Sequence, residues 1–460
     1  MASAVSQSPL ILPAPPAIGE PSLASAPAFR TFLLLNGIMF LRPGELVPAL
    51  AGVPIYEVVI LACLAMAAPA IFALLRPAAL GRNPITLCVF GMLPAIVMSL
   101  LAQGDMWNAR ERGIEFVKVI LYYLLLVSLV DSRARLRTFL VSLAVYTLVL
   151  NVIALLSYHE IVNLSTVSAY AEGQFQVDPE TGERAVVVRL QAMGVYGNPN
   201  GLARIIAVGI TICLFEMSRQ RPFFGRLRWV VAAAILGYAL QLTFSRGGLL
   251  AMMAGVVVLF HARYGMKKGG AAILILLPVL VLFSGRQTDI DTSSGTGQLR
   301  IQLWSNGLVA LRSSPIFGIG AGYYFRTAGN DAHNSFVEAF VENGLVGGTI
   351  FTSAFVLSIV GLYRCKSDVT KVIDPELWQL RPFILSIVVG TVVGQFSSSR
   401  VYFPPTYMIL GLATIYLTLV GRQVAVGVMR VTPGLVVRMS VIGVTTLVFL
   451  HLYTKFNARF

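Results

Sequence analysis

The sequence predicts an all-α, polytopic integral membrane protein of about 12 transmembrane helices, with a small periplasmic cap formed by long loops. Three observations predict it. The 460 residues are 56% hydrophobic and only 12% charged, about half the charge of a soluble chain. Apolar runs of about 17–25 residues recur along the whole length, long enough to cross a bilayer. They are continuous rather than alternating, which excludes a β-barrel.

Residues 1–28 are rich in Ala, Pro and Ser and carry one charge, Glu20. Without a basic leading segment they do not form a typical cleaved signal peptide, and a disordered cytoplasmic tail is expected. Apolar segments follow near 31–50, 54–75, 84–102, 113–130, 137–157, 198–217, 229–244, 248–262, 271–284, 333–362, 381–397 and 404–420. Starting the chain inside and alternating sides places every basic cluster on the cytoplasmic side. These are Arg76 and Arg82; Arg133, Arg135 and Arg137; Arg219, Arg221, Arg226 and Arg228; Arg263, Lys267 and Lys268; and Arg364, Lys366 and Lys371. Such a bias is what the positive-inside rule produces. Residues 103–112, 158–197, 285–332 and 398–403 then fall outside. A further run near 435–452, within the C-terminal segment 431–460, reads either as a thirteenth span or as a surface helix.

The formal charge of +14 is explained by these loops, so nucleic acid is not an expected partner. Cys63, Cys88 and Cys213 lie in spans and Cys365 in a cytoplasmic loop, so no disulfide is implied. His159, His261, His333 and His451 are scattered without metal-ligand spacing, and no nucleotide-binding fingerprint occurs. No cofactor or metal is called for.

The two long outside loops carry the chemistry. In "GNPNGLAR", Asn198 suits an N-cap and Pro199 the first helical turn, with Asn200 beside them. A well-started helix explains that much but not Arg204, an arginine inside a span, where charge is costly and faces a cavity or partner. Glu45, Glu57, Glu115 and Lys118 raise the same question, with pairing as the default answer. "TFSRGGLLA" sets Arg246 at the outer end of a helix pair. Alone it reads as an interfacial arginine; with Arg189 and Arg300 on the same side, a shared anionic ligand becomes an equal reading, since guanidinium forks suit phosphate. "GQLRIQLWSNGLVALRSSP" has helical spacing, with Leu299, Leu303, Leu308 and Leu311 expected on one side as part of the cap. "AHNSFVEAFVENGLVGG" opens an apolar run with "SFVE", which fits a capping box of Ser335 and Glu338. His333 and Asn334 then precede the helix start. The positive end of the helix favours a neutral imidazole, the form a general base needs. A capping histidine is the plainer alternative, and the neighbouring arginines tip the reading to the base.

Taken in order, "GNPNGLA", "FSRGGLLA", "RIQLWSNGLVALRSSPIFGIGAGYYF" and "AHNSFVEAFVENGLVGG" resemble the O-antigen ligase and polymerase superfamily of polyprenyl-linked glycan enzymes, with "LRPGEL" a weaker echo. The resemblance implies a transmembrane ligase-like domain over 29–430 in the bacterial inner membrane, with its active site facing the periplasm. It implies a metal-independent, inverting transfer from undecaprenyl-diphosphate-linked O-antigen to lipid A-core. It places the base on His333 and the diphosphate-binding arginines on Arg189, Arg246 and Arg300, with Arg326 and Arg400 in reserve. A polymerase or a protein O-oligosaccharyltransferase of the superfamily remains open. So does a lipid-linked glycan transporter, although the gathering of polar groups at one face suits an enzyme better.

Overall fold

The computed structural model describes residues 24–162, 175–177, 184–186, 188–220, 222–265, 267, 270, 295–365, 374–423 and 429–458. The expected tail before residue 24, the apolar run at 271–284, the loop at 285–294, and Lys268, Lys366 and Lys371 lie outside these residues. Thirteen long helices account for most of what is described. They are α1 (Ala26–Leu41), α2 (Ile55–Leu74), α3 (Pro84–Leu101), α4 (Met106–Leu129), α5 (Arg133–Tyr158), α6 (Pro199–Ser218), α7 (Phe223–Leu242), α8 (Arg246–Tyr264), α9 (Gly295–Ala310), α10 (Ser335–Arg364), α11 (Pro375–Gln395), α12 (Pro404–Gln423) and α13 (Pro433–Asn457). A two-stranded antiparallel ribbon, β1 (Phe175–Val177) with β2 (Arg184–Val186), lies in the long segment after α5.

Among the described residues, ten helices are long and apolar enough to cross a membrane. The chain is a multi-pass membrane protein. Helix α1 has only 16 residues, and the first half of α4 carries Arg110, Glu111, Arg112, Glu115 and Lys118. Glu45 pairs with Arg42 at 2.7 Å and Glu115 with Arg112 at 3.0 Å, so two of the span carboxylates are answered by an arginine three residues earlier.

The helix starts follow from short polar side chains. Ser132, Asn198, Ser245, Asp374 and Thr432 each accept a backbone N–H of the first turn of α5, α6, α8, α11 and α13, and Pro occupies the first position of α6, α11 and α13. Helix α1 ends at Leu41 rather than running to residue 50. Arg42 precedes a proline, which disfavours helical backbone, and it turns left-handed at φ 41°.

The bundle has two distinct ends. At the basic end, Arg133 meets Asp374 at 2.5 Å and Glu376 at 3.3 Å; Arg137 meets buried Glu216 at 3.5 Å; Arg219 also bonds Glu376; and Arg135 meets Asp131 at 3.1 Å. The last helix runs the full height of the bundle. Val431 N–H bonds the Gly81 carbonyl at the basic end, Gly443 packs on Thr349 midway, and Tyr453 lies against Trp304 of α9 at the other end. By length and composition Pro433–Asn457 is able to cross a membrane.

Helix α10 is not one straight span, as 333–362 suggested. It breaks at Gly344, with φ 65° and ψ −167°. Residues Pro315–Gly320 thread the break: Ile319 and Gly320 donate to the Val341 and Glu342 carbonyls, and Leu345 and Val346 donate to those of Pro315 and Ile316. The opened helix therefore keeps its main-chain partners, as a membrane interior demands. A side chain at Gly344 would collide with the Ile316 carbonyl.

Threading also anchors the segment 295–332. Gln103 donates to the Gly318 carbonyl at 2.9 Å, Ala321 N–H to Ser99 at 3.1 Å, and Trp304 to the Ala332 carbonyl at 2.6 Å. Leu303, Leu308 and Leu311 are buried as the spacing of α9 predicts. Leu299 is not: it is 50% exposed, and Ile301 is buried instead. Helix α9 packs on α10 and α13 rather than on one flat surface, so its buried face turns along its length.

Candidate active site

Three helix starts meet at the end opposite the basic one. Gly248 of α8 lies against Ala203 of α6, Gly247 lies against Ser397 in the α11–α12 turn, and Gly201 of α6 sits beside the Arg400 guanidinium. A Cβ on Gly247 or Gly248 would overlap its neighbour, which is why this approach uses "RGG". The third start, that of α10, joins through side chains. The Ser335 hydroxyl lies 2.5 Å from Gln395 Oε1 and 2.6 Å from the Ser398 carbonyl, and accepts the Arg400 N–H at 2.9 Å.

His333 stands at this junction. Its backbone is left-handed at φ 49°, and its N–H donates to Ser399 Oγ at 3.0 Å. Left-handed backbone outside glycine costs about 1–3 kcal/mol and persists where its surroundings hold it. The next residue is the true N-cap: Asn334 accepts the Phe336 and Val337 N–H groups at 3.0 and 3.3 Å. The expected Ser335–Glu338 capping box is therefore not formed. Asn334 takes the cap, which frees Ser335 to bond the α11–α12 turn, and Glu338 accepts the Val401 N–H of that turn at 3.4 Å.

The arginines fall into two groups. Arg189 is buried; its Nε donates to the Thr243 carbonyl at 2.9 Å and its Nη2 to Asn200 Oδ1 at 3.0 Å. Asn200 also accepts the Ser245 hydroxyl at 2.8 Å, tying the start of α6 to the cap of α8. Asn198 holds the first turn of α6 through Asn200 N and Gly201 N. Arg246 is the first, exposed residue of α8, at the same place. Arg400 stacks over Phe403 at 4.4 Å; burial pushes its guanidinium pKa down, with Glu338 and Asp331 opposing. Arg300 stands one helical turn before Trp304, which fixes α9 to the residue preceding His333. Arg326 does not join them. It lies in the short helix Tyr324–Ala328, stacked over Tyr323 at 5.1 Å and close to Asp105 at the start of α4.

Arg204 now has a place. Its Nη1 donates to Gln395 Oε1 at 3.2 Å, the same oxygen that Ser335 reaches, so one amide links α6 to the start of α10. Arg204 Nε, Arg400 Nε and Asn334 Nδ2 are buried without a hydrogen-bond partner among the described residues. A cavity of about 40 Å³ lies beside Arg204, lined also by Tyr196, Gly201, Gln395, Phe403 and Thr406. Gln395 and Ser399 escaped the sequence reading, although "QFSSSR" closing an apolar span was the available signal. Among the described residues no three His, Cys, Asp or Glu side chains group as a metal site.

Residues 231–352 match the family described as O-antigen ligase. The matched stretch belongs to the O-antigen ligase superfamily. The match runs from α7 into α10 and takes in Arg246, Arg300, Arg326, His333, Asn334 and Glu338. Arg189, Asn198, Asn200, Arg204 and Arg400 lie outside it and reach the same place through the fold. No curated protein matches the chain.

Proposed function

We propose that this superfamily member is a ligase that moves O-antigen polysaccharide from undecaprenyl diphosphate to lipid A-core, with the His333 end of the bundle facing the periplasm across the bacterial inner membrane. The observation that carries the reading is the meeting of His333, at the mouth of α10, with the arginine-bearing starts of α6 and α8 inside and beside the matched region.

The donor's anomeric carbon already bears a good leaving group. The acceptor sugar hydroxyl attacks that carbon as the bond to the diphosphate oxygen breaks, and the diphosphate departs with the electron pair. A single displacement inverts the anomeric centre. His333 takes the hydroxyl proton. Arg189, Arg246 and Arg300, with Arg204 and Arg400 behind them, bind the diphosphate and stabilise its growing charge, so no divalent metal is required. Asn198 and Asn200 hold the first turn of α6, and Asn334 and Glu338 hold the His333 loop against the α11–α12 turn.

Reconstitution of the full chain with undecaprenyl-diphosphate O-antigen and lipid A-core, in chelator, tests the reading. The expected product is O-antigen on the lipid A-core. Growth of the polyprenyl-linked chain alone would make the protein a polymerase. Dependence on added divalent metal would refute the arginine mechanism.

A further inference from the structure

At the basic end, far from His333, helices α3, α12 and the start of α13 enclose a cavity of about 750 Å³. Three arginines line it: Arg82, before α3; Arg422, in the last turn of α12; and Arg430, before α13. The other polar groups there are neutral: Asn83 and Thr418 bond each other at 3.3 Å, and Thr414 lies beside them. No carboxylate is among the described lining residues. Arg422 donates to the Asp131 backbone carbonyl at 3.0 Å, while the Asp131 carboxylate pairs with Arg135.

Pro84 also lines a second, apolar cavity. This groove, about 420 Å³, runs along the bundle between α3, α10 and α13, past Leu87, Val346, Ile350, Leu435 and Met439. Helix α13 lies at the outside of the bundle, with only 11% of its apolar window buried, and Gly443 packs against Thr349 of α10. A cationic pocket beside an apolar groove has the two-part chemistry of one ligand class.

We infer that this is a binding site for an anionic phospholipid, with its phosphate among Arg82, Arg422 and Arg430 and its acyl chains in the groove under α13. Basic pockets between helices at a membrane surface select anionic head groups, and the apolar contact adds what a free phosphate cannot. The lipid fills the space that holds α13 away from α3 and so fastens it to the bundle. The inference is independent of the reaction at His333.

The full chain, purified in detergent and stripped of lipid, is titrated with phosphatidylglycerol, phosphatidylcholine or inorganic phosphate, with bound lipid counted by native mass spectrometry and unfolding followed by heat. Phosphatidylglycerol is expected to bind and to raise the melting temperature, and the other two to do neither. Combined Arg82→Gln, Arg422→Gln and Arg430→Gln should weaken its binding on the order of 100-fold, about fivefold for each arginine. Ser440→Phe, which fills the groove from its exposed rim, should weaken it while all three arginines remain. Arg226→Gln with Arg228→Gln, which removes exposed charge elsewhere at the same end, should leave it unchanged. Melting of each variant without lipid shows whether it folds. Equal binding of phosphatidylcholine, equal stabilisation by phosphate, or an equal loss in the Arg226 and Arg228 variant would overturn the site.

Discussion

At the basic end Arg133, Arg137 and Arg219 converge on Glu376; Asp374 and Glu216 also answer Arg133 and Arg137, and Asp131 answers Arg135. At the other end Arg204 meets the neutral oxygen of Gln395, and Arg189 meets a carbonyl and the amide of Asn200. The difference teaches how the chain divides its positive charge. Paired with carboxylates, arginine tethers loops between helices. Oriented by the neutral oxygen of Gln395, Arg204 is left available to the anion of the proposed function. A buried cation so placed is costly, and the proposed diphosphate site is where such a cost would be retained.

That contrast can be broken by substitution. The largest effect is expected from Gly344→Ala, because the site end depends on Pro315–Gly320 threading the broken α10. The substitution adds left-handed strain of about 1–3 kcal/mol to a collision with the Ile316 carbonyl, so folded protein recovered from membranes should fall sharply. Recovery equal to the parent would show that the break is dispensable.

Arg204→Met should lower transfer about 10–100-fold, the worth of a charged hydrogen bond, with membrane insertion intact. Lysine should rescue it poorly, because it cannot present the guanidinium geometry to Gln395. If Arg204→Met lost thermal stability in proportion to activity, Arg204 would belong with the tethers. Glu376→Gln at the opposite end should do the converse. Its partners are partly exposed, so about 1 kcal/mol of stability is at stake and transfer should change less than about twofold.

The smallest effect concerns Asp105, whose carboxyl accepts bonds from Tyr323 and Asn108 and is held down to about 2. Its folded pKa is depressed, so its contribution is complete above the unfolded value near 3.8 and is lost as pH falls through about 2. Proteolysis of the Tyr323 segment should therefore rise in the parent across that window. In Asp105→Asn it should already be raised at neutral pH and flat with acid. An identical acid profile in both would remove Asp105 as the anchor.

Much of this was legible in the residues. Asn198 with Pro199 marked the start of α6, the basic clusters marked one end, and the apolar spacing of α9 marked a helix packed through Leu303, Leu308 and Leu311. What escaped depends on contacts distant in sequence. The break at Gly344 is invisible in "ENGLVGG", since it exists only where Pro315–Gly320 supplies the missing partners. Asn334 and Ser335 are both good caps, and only the α11–α12 turn decides which is used elsewhere. The tie between Arg204, Gln395 and Ser335 joins residues far apart along the chain, so Arg204 read only as a costly charge.

The account stands most directly on His333. The measurement is metal-free transfer to lipid A-core by proteoliposomes, as a function of pH, for the parent and for His333→Ala. The parent's rate should fall on the acid side as the imidazole protonates. The variant should still bind the polyprenyl-diphosphate donor, lose about 10²–10⁴-fold in transfer, and lose that acid limb. A variant that turns over normally, or one that keeps the parent's acid limb, would contradict His333 as the base.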